Sequence, residues 1–211
     1  MMMNTEHHPS TPQTLAQKSN WQQFKPVISV VGFIAGVVVS AMAINAFIFQ
    51  SYFVQGSSMV PTLHNNDRLI IDKIGHTFAT IQGKAYIPNR GDIIVIDSNL
   101  VDATGQPEQL IKRVVALPGE RITVENGVVT VFNNEFKNGK KVDDILGLTI
   151  DKVYPAEKID TKVGSDEIFV MGDNRNPGGS LDSRVFGPVK ASAIEGKLWA
   201  RVLPFNSVRT F

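Results

Sequence analysis

Two adjacent serines, Ser57 and Ser58, stand in the stretch "QGSSMVPTL" (55–63), just past a long apolar run. A serine hydroxyl is a poor nucleophile at neutral pH and needs a neighbouring base. The usual bases are scarce here. The chain has no cysteine and four histidines; His7 and His8 stand in a polar leader, and His64 and His76 are isolated. That excludes a cysteine nucleophile, a thiolate zinc site and a disulfide framework. It also leaves no histidine arrangement suited to a triad or a metal cage, so no metal is expected. Lysine is the next candidate. It works as a base only when neutral, so its pKa must fall from about 10.4 towards about 7 or 8 through burial or a nearby cation. "EQLIKRVVALPGE" (108–120) offers Lys112 between Leu110-Ile111 and Val114-Val115. In a strand, Lys112 and Arg113 point to opposite faces, so one can turn inward. Each stretch alone also has a plain reading. Gly, Ser and Pro are ordinary turn residues, and edge strands commonly carry lysine.

A third stretch, "MGDNRNPGGSLDSRVFGPV" (171–189), gathers Asp173, Asn174, Arg175, Ser180, Asp182, Ser183 and Arg184 in a turn-rich segment after an apolar strand. Loops this dense in donors and acceptors often support a site. Ser180 and the Asp182/Arg184 pair are suited to orienting a nearby lysine. Part of their role is self-capping within the loop.

The elements that must position these residues fall into three regions. Residues 1–26 are polar and irregular, the composition of a disordered tail. Residues 27–49 carry no charge. As a helix they would span about 34 Å at about 1.5 Å per residue, against a hydrocarbon core of about 30 Å, which fits a single transmembrane helix. "AMA" at 41–43 resembles a signal-peptide cleavage site. The long leader and the apolar run continuing to Phe49 favour an uncleaved anchor. Lys18 and Lys25 precede the helix, so the positive-inside bias puts the N-terminus in the cytoplasm and residues 50–211 outside. Those residues read as β-structure. "DRLIIDKI", "GDIIVID", "EIFVMGD" and "KLWARVLPF" are short strand-like runs between turns. "RITVENGVVTVF" is a hairpin around Asn126-Gly127. "KASAIEGK" (190–197) hints at a short helix, and about 133–166 reads as a small insertion. Without a βαβ rhythm, this predicts a mainly β, antiparallel, partly closed barrel-like domain. Net charge is +1, with no basic stripe, so nucleic acid is not an expected partner.

Taken in order after one anchor, "GSSMVPTL", "RGDIIVI", "IKRVVALPGERI" and "GDNR…SLDSR…FGPV" resemble the successive sequence boxes of the type I signal peptidases. The resemblance runs from the anchor almost to the C-terminus, with 133–166 carrying little of it. It implies a membrane-anchored serine endopeptidase that needs no cofactor and removes signal peptides from exported precursors. It assigns the nucleophile to Ser58, directly before Met-x-Pro, and not to Ser57. It assigns the general base to Lys112 and a hydroxyl hydrogen-bonded to that base to Ser180, with Asp182, Arg184 and Asp173 in support. Some members have a serine two positions before the nucleophile that helps the oxyanion hole; here that position is Gly56. Val54, Met59, Leu63 and Ile111 are candidates for lining the pockets that take the precursor's small side chains. Two rivals remain. One is a serine/lysine peptidase similar to the self-cleaving repressors, which would carry a DNA-binding domain. The other is an anchored, non-catalytic β-domain that binds partners.

Overall fold

The computed structural model describes residues 21–101, 105, 107–149 and 158–211. Most of the expected tail lies outside them, as do Lys18 and part of the 133–166 section. Contacts divide the chain into two units, Met1–Met42 and Ala43–Phe211.

Helix α1 runs Trp21–Phe47, so the chain is already helical before residue 27, and Phe49 belongs to a strand. Its stretch Pro26–Phe47 is 22 residues long, apolar enough to cross a membrane, and has no buried residue. A helix that is apolar all round needs an apolar surrounding.

The second unit is built on antiparallel sheets. β1 (Phe49–Phe53), β2 (Arg68–Asp72), β3 (Ile93–Val101), β4 (Pro107–Ala116), β9 (Glu167–Met171), β10 (Val189–Lys190), β11 (Ile194–Leu203) and β12 (Arg209–Thr210) form one sheet. Its order is β1-β2-β11-β3-β4-β9-β10, with β12 added to β11, so the sheet stays open with β1 and β10 at its ends. A smaller sheet has the order β7-β6-β5-β8, from β5 (Arg121–Glu125), β6 (Val128–Phe132), β7 (Lys140–Lys141) and β8 (Ile159–Lys162). It takes in the whole Asn126-Gly127 hairpin, so the small substructure begins at Arg121, ahead of residue 133. Asn126 and Gly127 both have positive φ, 50° and 71°, as a type I′ turn requires.

One apolar cluster joins the sheets: Val115 and Ala116 of β4 and Phe169 and Met171 of β9 pack with Ile122, Val124, Val129 and Val131. A second cluster, Val54, Met59, Leu63, Leu69, Ile71, Ile93, Val95 and Leu198, lies beneath the serine loop. Among the described residues three short helices complete the frame, α2 (Ile74–Ile81), α3 (Val142–Leu146) and α4 (Ser183–Phe186). Residues 190–197 do not form the expected helix. They end β10, make one 3-10 turn at Ala191–Ala193 and start β11.

Candidate active site

After β1 the chain turns at Gly56, whose φ of +92° lies in the left-handed region that glycine adopts freely. The Gly56 N–H donates to Asn65 Oδ1 at 2.9 Å. The next residues wind into a turn, with Val60 N donating to Ser57 O and Leu63 N to Met59 O. Met59 and Leu63 are fully buried and pin this turn to the core. Their placement leaves Ser57 exposed and Ser58 half-buried.

Strand β4 supplies the partner. Lys112 pairs across the ladder with Ile94 of β3 and is 2 % exposed. Its Nζ donates to Ser58 Oγ at 2.9 Å and to Ile111 O at 2.9 Å. Burial lowers the Lys112 pKa from 10.5 to about 8; the negative charges of Asp182 and Glu108 oppose that shift, and the Arg184 cation assists it. Burying an ammonium without a full counter-ion favours its neutral form. Arg113, on the opposite face of β4, donates from Nε and Nη2 to both oxygens of Asp173 at 2.8 and 2.6 Å. Thr62 Oγ1 also donates to Asp173. One carboxylate thus ties β4, the serine turn and the loop after β9 together. Removing one partner of such a buried pair typically costs about 3–5 kcal/mol.

That loop closes over the serine. Asn174 N donates to Ser58 O at 3.0 Å, and Asn174 Nδ2 donates to Ser57 O at 3.1 Å. A trans peptide is planar with its C=O and N–H opposed. Holding Ser57 O therefore points the Ser58 N–H away from Asn174 and fixes its direction. Gly172 lies between the two serine-bearing segments: a Cβ there would stand 2.3 Å from Ser180 Oγ and 2.4 Å from Ser58 O. Asp182 is fully buried. It accepts from Gly172 N at 2.9 Å and from Arg184 Nε and Nη2 at 2.9 and 2.8 Å. Burial pushes the Asp182 carboxyl up, but Arg184 and the Gly172 N–H outweigh it and hold the pKa below the usual value.

The structure brings Ser58, Lys112, Asp173, Asp182 and Arg184 into one network. It differs from the sequence reading at three places. Ser180 Oγ is buried beside Asp182, where it helps hold that carboxyl low, and makes no hydrogen bond to Lys112; Lys112 Nζ instead bonds Ser58 Oγ and Ile111 O. Met59 and Leu63 pack in the core and do not wall the cleft, because the turn they anchor needs both side chains inside. Asn174, read in the sequence only as part of a polar loop, clamps the peptide bearing Ser58.

Beside the Ser58–Lys112 pair lies a cleft of about 350 Å³, walled by Tyr52, Phe53, Val54, Gln55, Val95 and Glu108–Lys112. Val54 and Ile111 line it. β9 pairs with β4 only from Arg113 to Ala116, so β9 leaves the residues of β4 before Arg113 unpaired on its side. Among the described residues no three His, Cys, Asp or Glu side chains gather as metal ligands.

Comparison with known proteins bears on this arrangement. The sequence profile of the signal peptidase, peptidase S26, family matches residues 27–203. Signal peptidase I of Bacillus caldolyticus is 36% identical over 185 residues, covering 82% of this chain and 89% of its own. Signal peptidase I of Leptolyngbya laminosa is 34% identical over 211 residues, covering 97% of this chain and 95% of its own. A probable signal peptidase I-2 of a Synechocystis strain is 33% identical over 172 residues, covering 81% and 71%.

Proposed function

Since the chain belongs to the signal peptidase, peptidase S26, family, we propose that Ser58 and Lys112 are the nucleophile and general base of its signal-peptide cleavage. The enzyme is a serine endopeptidase that removes signal peptides from precursor proteins; the alternative of a non-catalytic anchored β-domain has no support. One observation carries the dyad: Lys112 Nζ, buried and shifted towards neutrality, lies 2.9 Å from Ser58 Oγ.

The geometry supports the following sequence of steps. A precursor's extended segment enters the cleft and adds to the free side of β4. Its small side chains face Val54, Val95, Leu110 and Ile111. Neutral Lys112 takes the Ser58 proton as Oγ attacks the scissile carbonyl. The new oxyanion meets the Ser58 N–H, whose direction Asn174 fixes; one such donor is typically worth about 3 kcal/mol in the transition state. The Lys112 ammonium then protonates the leaving amine, and the signal peptide stays as an ester on Ser58. Lys112, neutral again, takes a proton from water, which attacks the ester and frees the enzyme. Asp173, Asp182 and Arg184 hold the two strands and the loop in register and touch no reacting atom.

α1 anchors this activity in a membrane. Lys25 before the apolar span puts its N-terminal end in the cytoplasm and the β-unit outside, which protease protection of sealed vesicles tests directly. For the dyad, purified full-length protein is incubated with an Ala-x-Ala precursor. Ser58→Ala and Lys112→Arg abolish cleavage, because arginine stays charged, while Ser57→Ala keeps most of it. Full activity in Ser58→Ala contradicts the assignment.

A further inference from the structure

The cleft beside the dyad carries opposite charges at its two ends. Of the described residues that wall it, Lys112 is the one cation and Glu108 the one carboxylate. Both belong to β4. Side chains alternate along a strand, so Glu108, Leu110 and Lys112 share a face, and the Cα atoms of Glu108 and Lys112 stand about 13 Å apart at about 3.3 Å per residue. Leu110 between them is buried and Glu108 is half-buried. The Glu108 charge is felt at Lys112, whose protonated form it favours. More negative charge surrounds that end. Asp97 of β3 stands opposite Gln109 in the ladder and accepts from its Nε2 at 2.8 Å. Burial, followed by the charges of Glu195 and Asp97, pushes the Tyr52 hydroxyl up to about 12.

The ladder sets how a precursor meets this charge. β9 covers β4 from Arg113 onward, so an added segment lies along the residues before it, from Glu108 to Lys112. The bond to be cut meets Ser58 at the Lys112 end. The residues upstream of that bond, which carry the Ala-x-Ala pattern, therefore run parallel to β4 and back towards Glu108. Counted residue against residue, the fourth and fifth positions before the bond fall at the level of Glu108.

We propose that Glu108 is a specificity residue: it favours precursors with a cationic or hydrogen-bond-donating side chain at the fourth or fifth position before the scissile bond and rejects those with a carboxylate there. This rests on the reading that Ser58 and Lys112 cut a segment bound along β4. An incoming carboxylate would lose water beside Glu108 and find no cation, whereas arginine and glutamine have N–H groups to offer. Selection by charge needs a repulsive element as well as an attractive one, and the apolar walls at Val54, Val95 and Ile111 supply neither.

The test gives purified full-length protein soluble Ala-x-Ala peptides that differ only in carrying Arg, Gln or Glu at the fourth position, or the same three at the fifth. Cleavage at pH 9.5 keeps Lys112 neutral while arginine stays charged. Wild type is expected to show kcat/KM about tenfold higher for the Arg peptide than for the Glu peptide at one or both positions, with Gln between. Glu108→Lys should invert that order and Glu108→Gln should flatten it. Each ratio is taken within one enzyme, so a change in overall rate cancels. Glu108→Gln keeps the size of the side chain and serves alone if the lysine variant folds poorly. Equal cleavage of the Arg and Glu peptides at both positions overturns the proposal, as does an order that the Glu108 variants leave unchanged. So does an equal preference when the charges are moved to the ninth position, past the end of the cleft. The Gln peptides test the premise separately. If wild type leaves them intact, or Ser58→Ala cuts them, the dyad fails; if an active dyad cuts every peptide alike, only the role of Glu108 fails.

Discussion

Lys112 serves catalysis at the expense of stability. Its pKa falls from 10.5 to about 8 in the folded protein, whereas the unfolded chain keeps the ordinary value. Folding is therefore penalised wherever the unfolded lysine is protonated. The penalty is absent above about pH 10.5, grows as pH falls towards 8, and is complete below 8, where it reaches about 3 kcal/mol. Lys112→Met should accordingly be inactive yet more stable at pH 7 by up to that amount, with the advantage gone at high pH. Chemical unfolding of purified protein at pH 7 and 10.5 measures this; a variant less stable than wild type at pH 7 would contradict it. At this scale the sequence was informative where the residue type is unusual for its place. A lysine amid apolar residues, facing a serine turn, needs a special reason to be there. Met59 and Leu63 were harder to place, because an apolar type does not distinguish a pocket wall from the core behind it. Asn174 was hidden for another reason. It acts on two backbone carbonyls, one of them 117 positions away, and backbone acceptors leave no mark on the sequence.

The elements hold the dyad by close approach of the loop after β9 to the serine turn. Gly172 is the point of closest contact, and space is what limits it there. The 2.3 and 2.4 Å separations from a Cβ to Ser180 Oγ and Ser58 O mean that Gly172→Ala must push the loop off the Ser58 peptide. A displacement of about 1 Å at a nucleophile costs roughly a hundredfold in rate. The variant should lose about that much single-turnover cleavage while keeping wild-type near-ultraviolet circular dichroism; undiminished cleavage would show that the loop does not set the serine. Elements were legible where local chemistry and tertiary packing agree, as in the Asn126-Gly127 hairpin. The β11 start at 194 was obscured because Ile194, Gly196, Leu198 and Ala200 alternate inward but Gly196 contributes no side chain to the pattern. It is glycine because a Cβ there would approach Asp72 O at 2.6 Å. α2 was missed because its isoleucines, threonines and phenylalanine favour strands, and its apolar stripe faces away from the core.

In the molecule as a whole, the apolar span runs into the catalytic sheet with one residue, Ile48, between α1 and β1. β1 then pairs residue by residue with β2, Gln50 opposite Ile71. A flexible spacer that respects the sheet must enter between Phe47 and Phe49. Such a spacer is expected to spare cleavage of short soluble peptides and slow processing of membrane-inserted precursors, because it lengthens the one-residue link between the span and the catalytic sheet; equal rates on both substrates with and without it would refute this. The chemistry of the whole rests on neutral Lys112, and the pH dependence of single-turnover cleavage reads that directly. Wild-type cleavage should rise through an apparent pKa of about 8. Glu108→Gln, which removes a negative charge that favours protonated Lys112, should move this limb to lower pH. A limb that appears only near 10.5, or one that Glu108→Gln leaves in place, would contradict the buried-lysine mechanism.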